Sequence, residues 1–180
     1  MLTRDGKISQ MDEILDDLNI RKLSAQERFD KLIYLIQNSD DESLRVDSVW
    51  LLSEMRDFIK IDDPLYEKIA DMLVWVLHND KNGVVKHEAA YEIGRQNMIN
   101  KIPDLLRAAV SDDSVLVRHE SVEALGLMKT DEFKEKVKVC LKDPAKEVRE
   151  TTMFVLKRIM RRKYDPNSPM TRFSMNQKNP

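Results

Sequence analysis

The sequence predicts an all-α protein, a short right-handed α-solenoid of about four helical hairpin repeats, and three observations carry that expectation. Gly 4 and Pro 6 in 180 residues leave little to interrupt helices, and Leu, Ala, Glu, Lys, Asp and Met are plentiful. Apolar residues recur at helical spacing, as in Phe29, Leu32, Ile33 and Ile36, then Leu65, Ile69, Leu73, Val76 and Leu77, and no strand pattern competes. Four segments lie over one another without a gap: LRVDSVWLLSEM from Leu44, VKHEAAYEIGRQ from Val85, VRHESVEALGLM from Val117 and VRETTMFVLKRI from Val148. Their successive offsets of 41, 32 and 31 residues hold two helices and their turns. That is the period of HEAT-type hairpins, each of which must bury its apolar stripe on a neighbour.

The elements follow in order. Residues 1–22 read as a polar, acidic N-terminal capping helix, whose Met11, Ile14, Leu15 and Leu18 would cover the end of the stack or a dimer partner. Residues 23–163 form the repeat domain, with helices expected near 9–19, 24–38, 43–59, 64–79, 83–96, 101–111, 114–127, 131–142 and 144–163. Ser24 and Glu27 form a capping box, in which a hydroxyl and a carboxylate each satisfy a backbone N–H at the helix entrance. Asp63-Pro64 and Asp143-Pro144 place a capping oxygen before a proline whose fixed φ suits a first helical turn. The segment 164–180, rich in Pro, Asn and Ser and without a helical stripe, is expected to be disordered. Arg161, Arg162 and Lys163 complement the negative end of the last helix dipole.

Composition narrows the function classes. Lys+Arg 30 against Asp+Glu 32 gives no electrostatic case for nucleic acid or membrane as partner. Cys140 is the only cysteine, which excludes an intrachain disulfide framework and multi-cysteine zinc sites. It falls in the apolar rhythm of Val137 and Leu141 and reads as a packed small side chain rather than a nucleophile. The opening residues lack an apolar stretch of signal-peptide length, and no run of about 18 apolar residues occurs, so a cytoplasmic location is expected. Glycines at positions 6, 83, 94 and 126 cannot write a phosphate-binding loop or a dinucleotide fingerprint.

One pattern carries chemistry. The two central repeats, and only they, place a His-Glu pair in the same slot, at His87-Glu88 and His119-Glu120, after a basic residue in each case. The flanking repeats hold Val46-Asp47 and Glu150-Thr151 there. Equivalent helices of stacked hairpins run side by side at roughly 10 Å, so matching histidines face the same way and can share one ion. Each glutamate lies about 100° further round its helix and can complete a face of two imidazoles and one carboxylate, the open arrangement used by non-haem iron. Zinc, manganese and other divalent ions accept the same donors. A zinc-protease motif is excluded, because the places four residues beyond the histidines hold Tyr91 and Glu123. Tyr91 aligns with Trp50, Glu123 and Phe154, which points to core or interface packing. Lys86 and Arg118 share their slot with Arg45 and Arg149 and are expected to be structural. Gly94 and Gly126 recur seven places after the histidines, where Ser53 and Lys157 stand in the outer repeats, and suggest a close helix approach or a helix end.

Over about residues 83–160 the chain resembles deoxyhypusine hydroxylase, on the segments VVKHEAAYEIG, VRHESVEALG and DPAKEVRET. The resemblance implies that His87, Glu88, His119 and Glu120 occupy four iron-ligand positions of one half of a two-half pattern. It also implies an oxygenase using dioxygen between two irons on a modified lysine side chain of translation initiation factor 5A. Since this sequence holds one half of the pattern, the resemblance implies a homodimer binding two ions, with one ion per chain as the other arrangement. The functional expectation is therefore an iron-dependent, O2-dependent hydroxylase-like monooxygenase acting on a protein or peptide substrate. The alternative is a non-enzymatic HEAT-repeat interaction scaffold that lines its inner face with the His-Glu row.

Overall fold

The computed structural model describes residues 17–128 and 130–164. All regular structure among them is helical, as the repeat period requires. The helices are α1 (Asp17–Lys22), α2 (Ala25–Asn38), α3 (Glu42–Glu54), α4 (Pro64–Asn79), α5 (Gly83–Arg95), α6 (Ile102–Ser111), α7 (Val115–Leu127), α8 (Lys134–Val137) and α9 (Lys146–Tyr164). Single 3₁₀ turns lie at Met55–Asp57 and Ile99–Lys101, and a longer one, Lys138–Lys142, extends α8. Four consecutive helix pairs result, each joined by a three-residue loop at 39–41, 80–82, 112–114 or 143–145. The expected all-α HEAT-repeat class is thus observed. The expected Met11, Ile14 and Leu15 contacts and the 165–180 tail lie outside the described residues.

The helix ends follow the local chemistry. Ser24 accepts the Glu27 N–H at 3.3 Å while the Glu27 carboxylate accepts the Ser24 N–H at 3.1 Å, which completes the capping box; the Ser24 hydroxyl first, and this N–H second, hold that carboxyl below its usual range. Asp63 accepts the Leu65 N–H at 2.8 Å, with Pro64 in the first turn of α4. Asp143-Pro144 behaves differently from expectation. Asp143 accepts the Ala145 N–H at 2.8 Å, but α9 begins only at Lys146, so the proline precedes the helix. Its carboxylate is needed elsewhere, as described below.

The chain divides into two compact units, Met1–Ala89 and Ala90–Pro180, with the boundary inside α5. In the first unit α2, α3 and α4 pack on one another and bury Leu32, Ile36, Val49, Leu52, Ile69, Leu73 and Leu77. Arg28 is drawn into this packing, donating to the Leu51 carbonyl at 3.0 Å and to Glu54 at 3.2 Å. Burial lowers its pKa from the usual guanidinium value, and the neighbouring Glu54 opposes that shift. In the second unit α7 packs against both α6 and α9, around Leu105, Ala109, Val117, Leu125, Phe133, Val148 and Val155. Cys140 is buried there with Sγ 3.6 Å from the Ala109 carbonyl oxygen, and burial pushes its thiol up to about 11. Such a thiol stays protonated near neutrality, as a packing residue should.

Both repeated glycines serve close approach. A Cβ on Gly94 would lie 2.7 Å from the Ala124 Cα, and one on Gly126 would lie 2.6 Å from Val155 Cγ2. The end of α5 is made instead by Asn97, at φ 53°, whose N–H donates to the Gly94 carbonyl at 3.0 Å.

Candidate metal centre

The frame around the His-Glu slot is set by the basic residue before it. Arg118 Nη1 donates to the Asp112 carbonyl of its own loop at 2.9 Å, and Nε and Nη2 grip the Asp143 carboxylate of the next loop at 2.8 and 3.0 Å. These bonds raise the Arg118 pKa and lower that of Asp143. Arg45 repeats the pattern in the first unit: Nη1 to the Ser39 carbonyl at 2.9 Å, Nε and Nη2 to Asp80 at 2.8 and 3.1 Å. Arg149 Nη1 ties the carbonyls of Asp143 and Pro144 at 2.7 and 2.8 Å. These three arginines are therefore structural, as expected of the slot, and they fix the starts of α3, α7 and α9, whereas α5 carries Lys86 there.

With that end pinned, α7 turns Val117, Ser121, Ala124 and Leu125 into the core. The same rotation leaves His119 half-buried and Glu120 6% exposed. His119 Nδ1 lies 2.8 Å from the Thr151 hydroxyl of α9. One turn on, Glu123 pairs with Arg158 at 2.6 Å, and the Arg158 guanidinium stacks 4.8 Å from the Phe154 ring centroid. On α5, burial of Val85, Ala89, Ala90 and Ile93 leaves His87 and Glu88 half-buried. Glu92, fully buried, pairs with Arg95 at 2.7 Å.

The outer repeats use the slot for other purposes. Asp47 has its pKa raised, by burial first and by Asp41 second. Glu150 forms an exposed pair with Lys146 at 3.3 Å. Trp50, Tyr91 and Phe154, aligned four residues beyond the slot, are 41%, 39% and 50% exposed. Of the core or interface packing expected for Tyr91, the core half is therefore corrected: the buried Ala90 and Ile93 turn its side of the helix outward.

Each predicted donor thus sits on the second helix of a central repeat, His119 beside Glu120 on α7 and His87 beside Glu88 on α5. Among the described residues, no three His, Cys, Asp or Glu side chains are gathered into a ready-made metal cage. The donor chemistry, imidazole next to carboxylate, nevertheless suits iron and other divalent ions. Sequence reading missed Thr151 and the acceptor aspartates Asp80 and Asp143. The aspartates carried a signal, since Ser39, Asp80, Asp112 and Asp143 each stand six residues before the basic slot.

Comparison with known proteins agrees with this frame. A family model described as HEAT repeats matches residues 70–157. Deoxyhypusine hydroxylase of Saccharomyces cerevisiae is 35% identical over 95 residues, covering 52% of this chain and 28% of that protein. The Arabidopsis thaliana protein is 40% identical over 83 residues, covering 44% and 26%, and the Homo sapiens protein 32% over 90 residues, covering 48% and 30%. The matched stretch is thus less than a third of each relative's own length. The solved structure of human deoxyhypusine hydroxylase in complex with glycerol superposes with a TM-score of 0.65 at 22% identity, over 86% of this chain and 49% of that one. Among the described residues, no helix is long and apolar enough to cross a membrane. Residues 70–157 are thus similar to HEAT repeats, and about half of the chain is similar to part of deoxyhypusine hydroxylase.

Proposed function

We propose that this chain is an iron-dependent, hydroxylase-like oxygenase, with His87, Glu88, His119 and Glu120 as metal ligands. The observation that carries the reading is the His-Glu pair repeated in register on α5 and α7, half-buried or buried in both copies, on a frame whose outer repeats lack it. The name of the curated relatives, deoxyhypusine hydroxylase, supports hydroxylation; the substrate we propose is a lysine-derived side chain of a protein, as the resemblance of the sequence implies. When bound, non-haem iron supplies the redox chemistry that places one oxygen atom of O2 into a C–H bond, the other leaving as water with two electrons from an external donor.

The chain's own residues have defined parts in this. His87 and His119 would hold the ion through imidazole nitrogen, and Glu88 and Glu120 would supply carboxylates that balance its charge. A second copy of the chain contributes the other two His-Glu pairs across a twofold interface, giving two ions per dimer. The partly exposed rings of Tyr91 and Phe154 in the second unit, and separately of Trp50 in the first, offer apolar area to a protein substrate. Those rings also favour a second reading, a non-enzymatic scaffold that docks a protein or peptide on the same helices.

Metal separates the two readings. Protein purified with iron present should carry stoichiometric iron and run as a dimer in solution, and His87→Ala or His119→Ala should each lose the metal. Wild-type protein without stoichiometric metal would end the oxygenase reading and leave the scaffold. A monomer holding one ion would remove only the shared centre.

A further inference from the structure

We infer that Thr151 is a positioning residue that holds the ring of His119 through Nδ1 and supports the Nδ1–H tautomer, so that Nε2 is its metal-facing atom. This rests on the reading of His119 as a ligand. Thr151 lies in α9 at the place that Glu88 and Glu120 hold in their own repeats. The last repeat therefore does more than close the end of the second unit.

The geometry is specific. Thr151 Oγ1 is 2.8 Å from His119 Nδ1, while its neighbour Thr152 turns its hydroxyl back to the Val148 carbonyl at 2.7 Å. The backward bond is the usual resort of a threonine inside a helix, and Ser48 makes it too, to the Leu44 carbonyl at 2.7 Å. Thr151 instead reaches across to another helix and meets one nitrogen of an imidazole. A neutral imidazole has one N–H and one lone pair, and a hydroxyl can meet either, so it is the metal on Nε2 that requires the tautomer in which Nδ1 carries the proton. With Nδ1–H donating to the hydroxyl oxygen, the lone pair stands on Nε2. Metal-binding histidines commonly use their second nitrogen in this way, and losing the supporting partner weakens metal binding by about 10–100-fold.

The anchoring of Thr151 is as firm as that of His119. Val148, Thr152 and Val155 on the same helix are fully buried, and Arg149 ties the start of α9 to its own loop. Arg118, next to His119, grips Asp143 at the head of that loop. Both ends of the hydroxyl–imidazole contact are therefore held by the same arginine frame within one compact unit.

Nitrogen NMR of the full-length, metal-free protein reads the tautomer directly, at a pH where the ring is neutral. Wild type should show His119 protonated at Nδ1, Thr151→Val should lose that preference, and Thr151→Ser should restore it. Anaerobic titration with Fe(II), and with Co(II) as a spectroscopic probe, should show binding weakened about 10–100-fold in Thr151→Val and near wild type in Thr151→Ser. If His119→Ala abolishes binding while Thr151→Val changes neither tautomer nor affinity, the positioning role is overturned and the ligand reading stands. If His119→Ala binds metal as wild type does, the ligand reading itself falls. Should Thr151→Val not fold, the wild-type tautomer and the Thr151→Ser affinity still decide: an Nε2–H ring in the wild type would overturn the proposal.

Discussion

Helices α3 and α7 share a frame down to individual hydrogen bonds. Arg45 and Arg118 each donate Nη1 to a carbonyl of their own loop at 2.9 Å and fork onto the aspartate of the following loop. The next two residues then differ completely, Val46-Asp47 in one and His119-Glu120 in the other. Seven places beyond the histidine slot, Ser53 stands against Gly126. The difference teaches that the frame does not depend on what fills the slot. Metal donors can be added to or withheld from a repeat whose fold is already secured by its arginine and its apolar face.

Removing the shared part should have the largest effect. Arg45→Ala leaves the Asp80 carboxylate, 4% exposed as a side chain, buried without its guanidinium. Breaking such a pair costs about 3–5 kcal/mol, measurable by urea unfolding of the full chain. Arg118→Ala should cost less, because the Arg118 side chain is 10% exposed against 3% for Arg45, and water can replace more of the lost contact. An equal or larger loss at Arg118 would show that the two frames are not energetically alike.

The glycines come next. Gly94→Ala drives a methyl group into the backbone of Ala124, which cannot yield, whereas Gly126→Ala meets the Val155 side chain and the end of Arg158. Overpacking of this kind costs about 1–3 kcal/mol, and Gly94→Ala should lie at the upper end with Gly126→Ala below it. Thermal unfolding of both variants tests the order. The smallest effect is expected where the two helices differ. Writing the donors into the empty repeat, as Val46→His with Asp47→Glu, should change stability by no more than about 0.5 kcal/mol, because both positions are only half-buried. A larger loss in the same unfolding assay would mean that the slot contributes to folding after all.

Much of the fold was legible in the sequence, for local reasons. Capping oxygens, prolines and apolar spacing put the helix limits within a few residues, as α4 at Pro64–Asn79 shows. The slot itself was legible because a repeat compares a chain with itself. The partners across repeats were harder to see. Arg45 and Asp80 are 35 residues apart, and Arg118 and Asp143 are 25 apart, so although the aspartates recur before the basic slot, which arginine each one meets depends on stacking. Thr151 was hidden for a different reason: in the aligned column it reads as a lost carboxylate, and only its hydroxyl's direction reveals the link to His119. Tyr91 pointed to core or interface packing because its column holds Trp50 and Phe154, and the partial exposure of all three rings removes only the core.

The loops within the helix pairs bear on how such a chain can change in length. Those at 39–41, 80–82, 112–114 and 143–145 are each three residues long, and arginines hold the carbonyls of the first, third and fourth. An inserted residue there would pull the carbonyls off the guanidinium, so these corners are closed to insertion. The connectors at 55–63, 96–101 and 128–133 are longer, at nine, six and six residues. The longer first connector and the 16-residue α4 account for the whole difference between the 41-residue and 32-residue offsets. Evolutionary drift, and any engineered tag or graft, has room at those connectors while the metal slots keep their register.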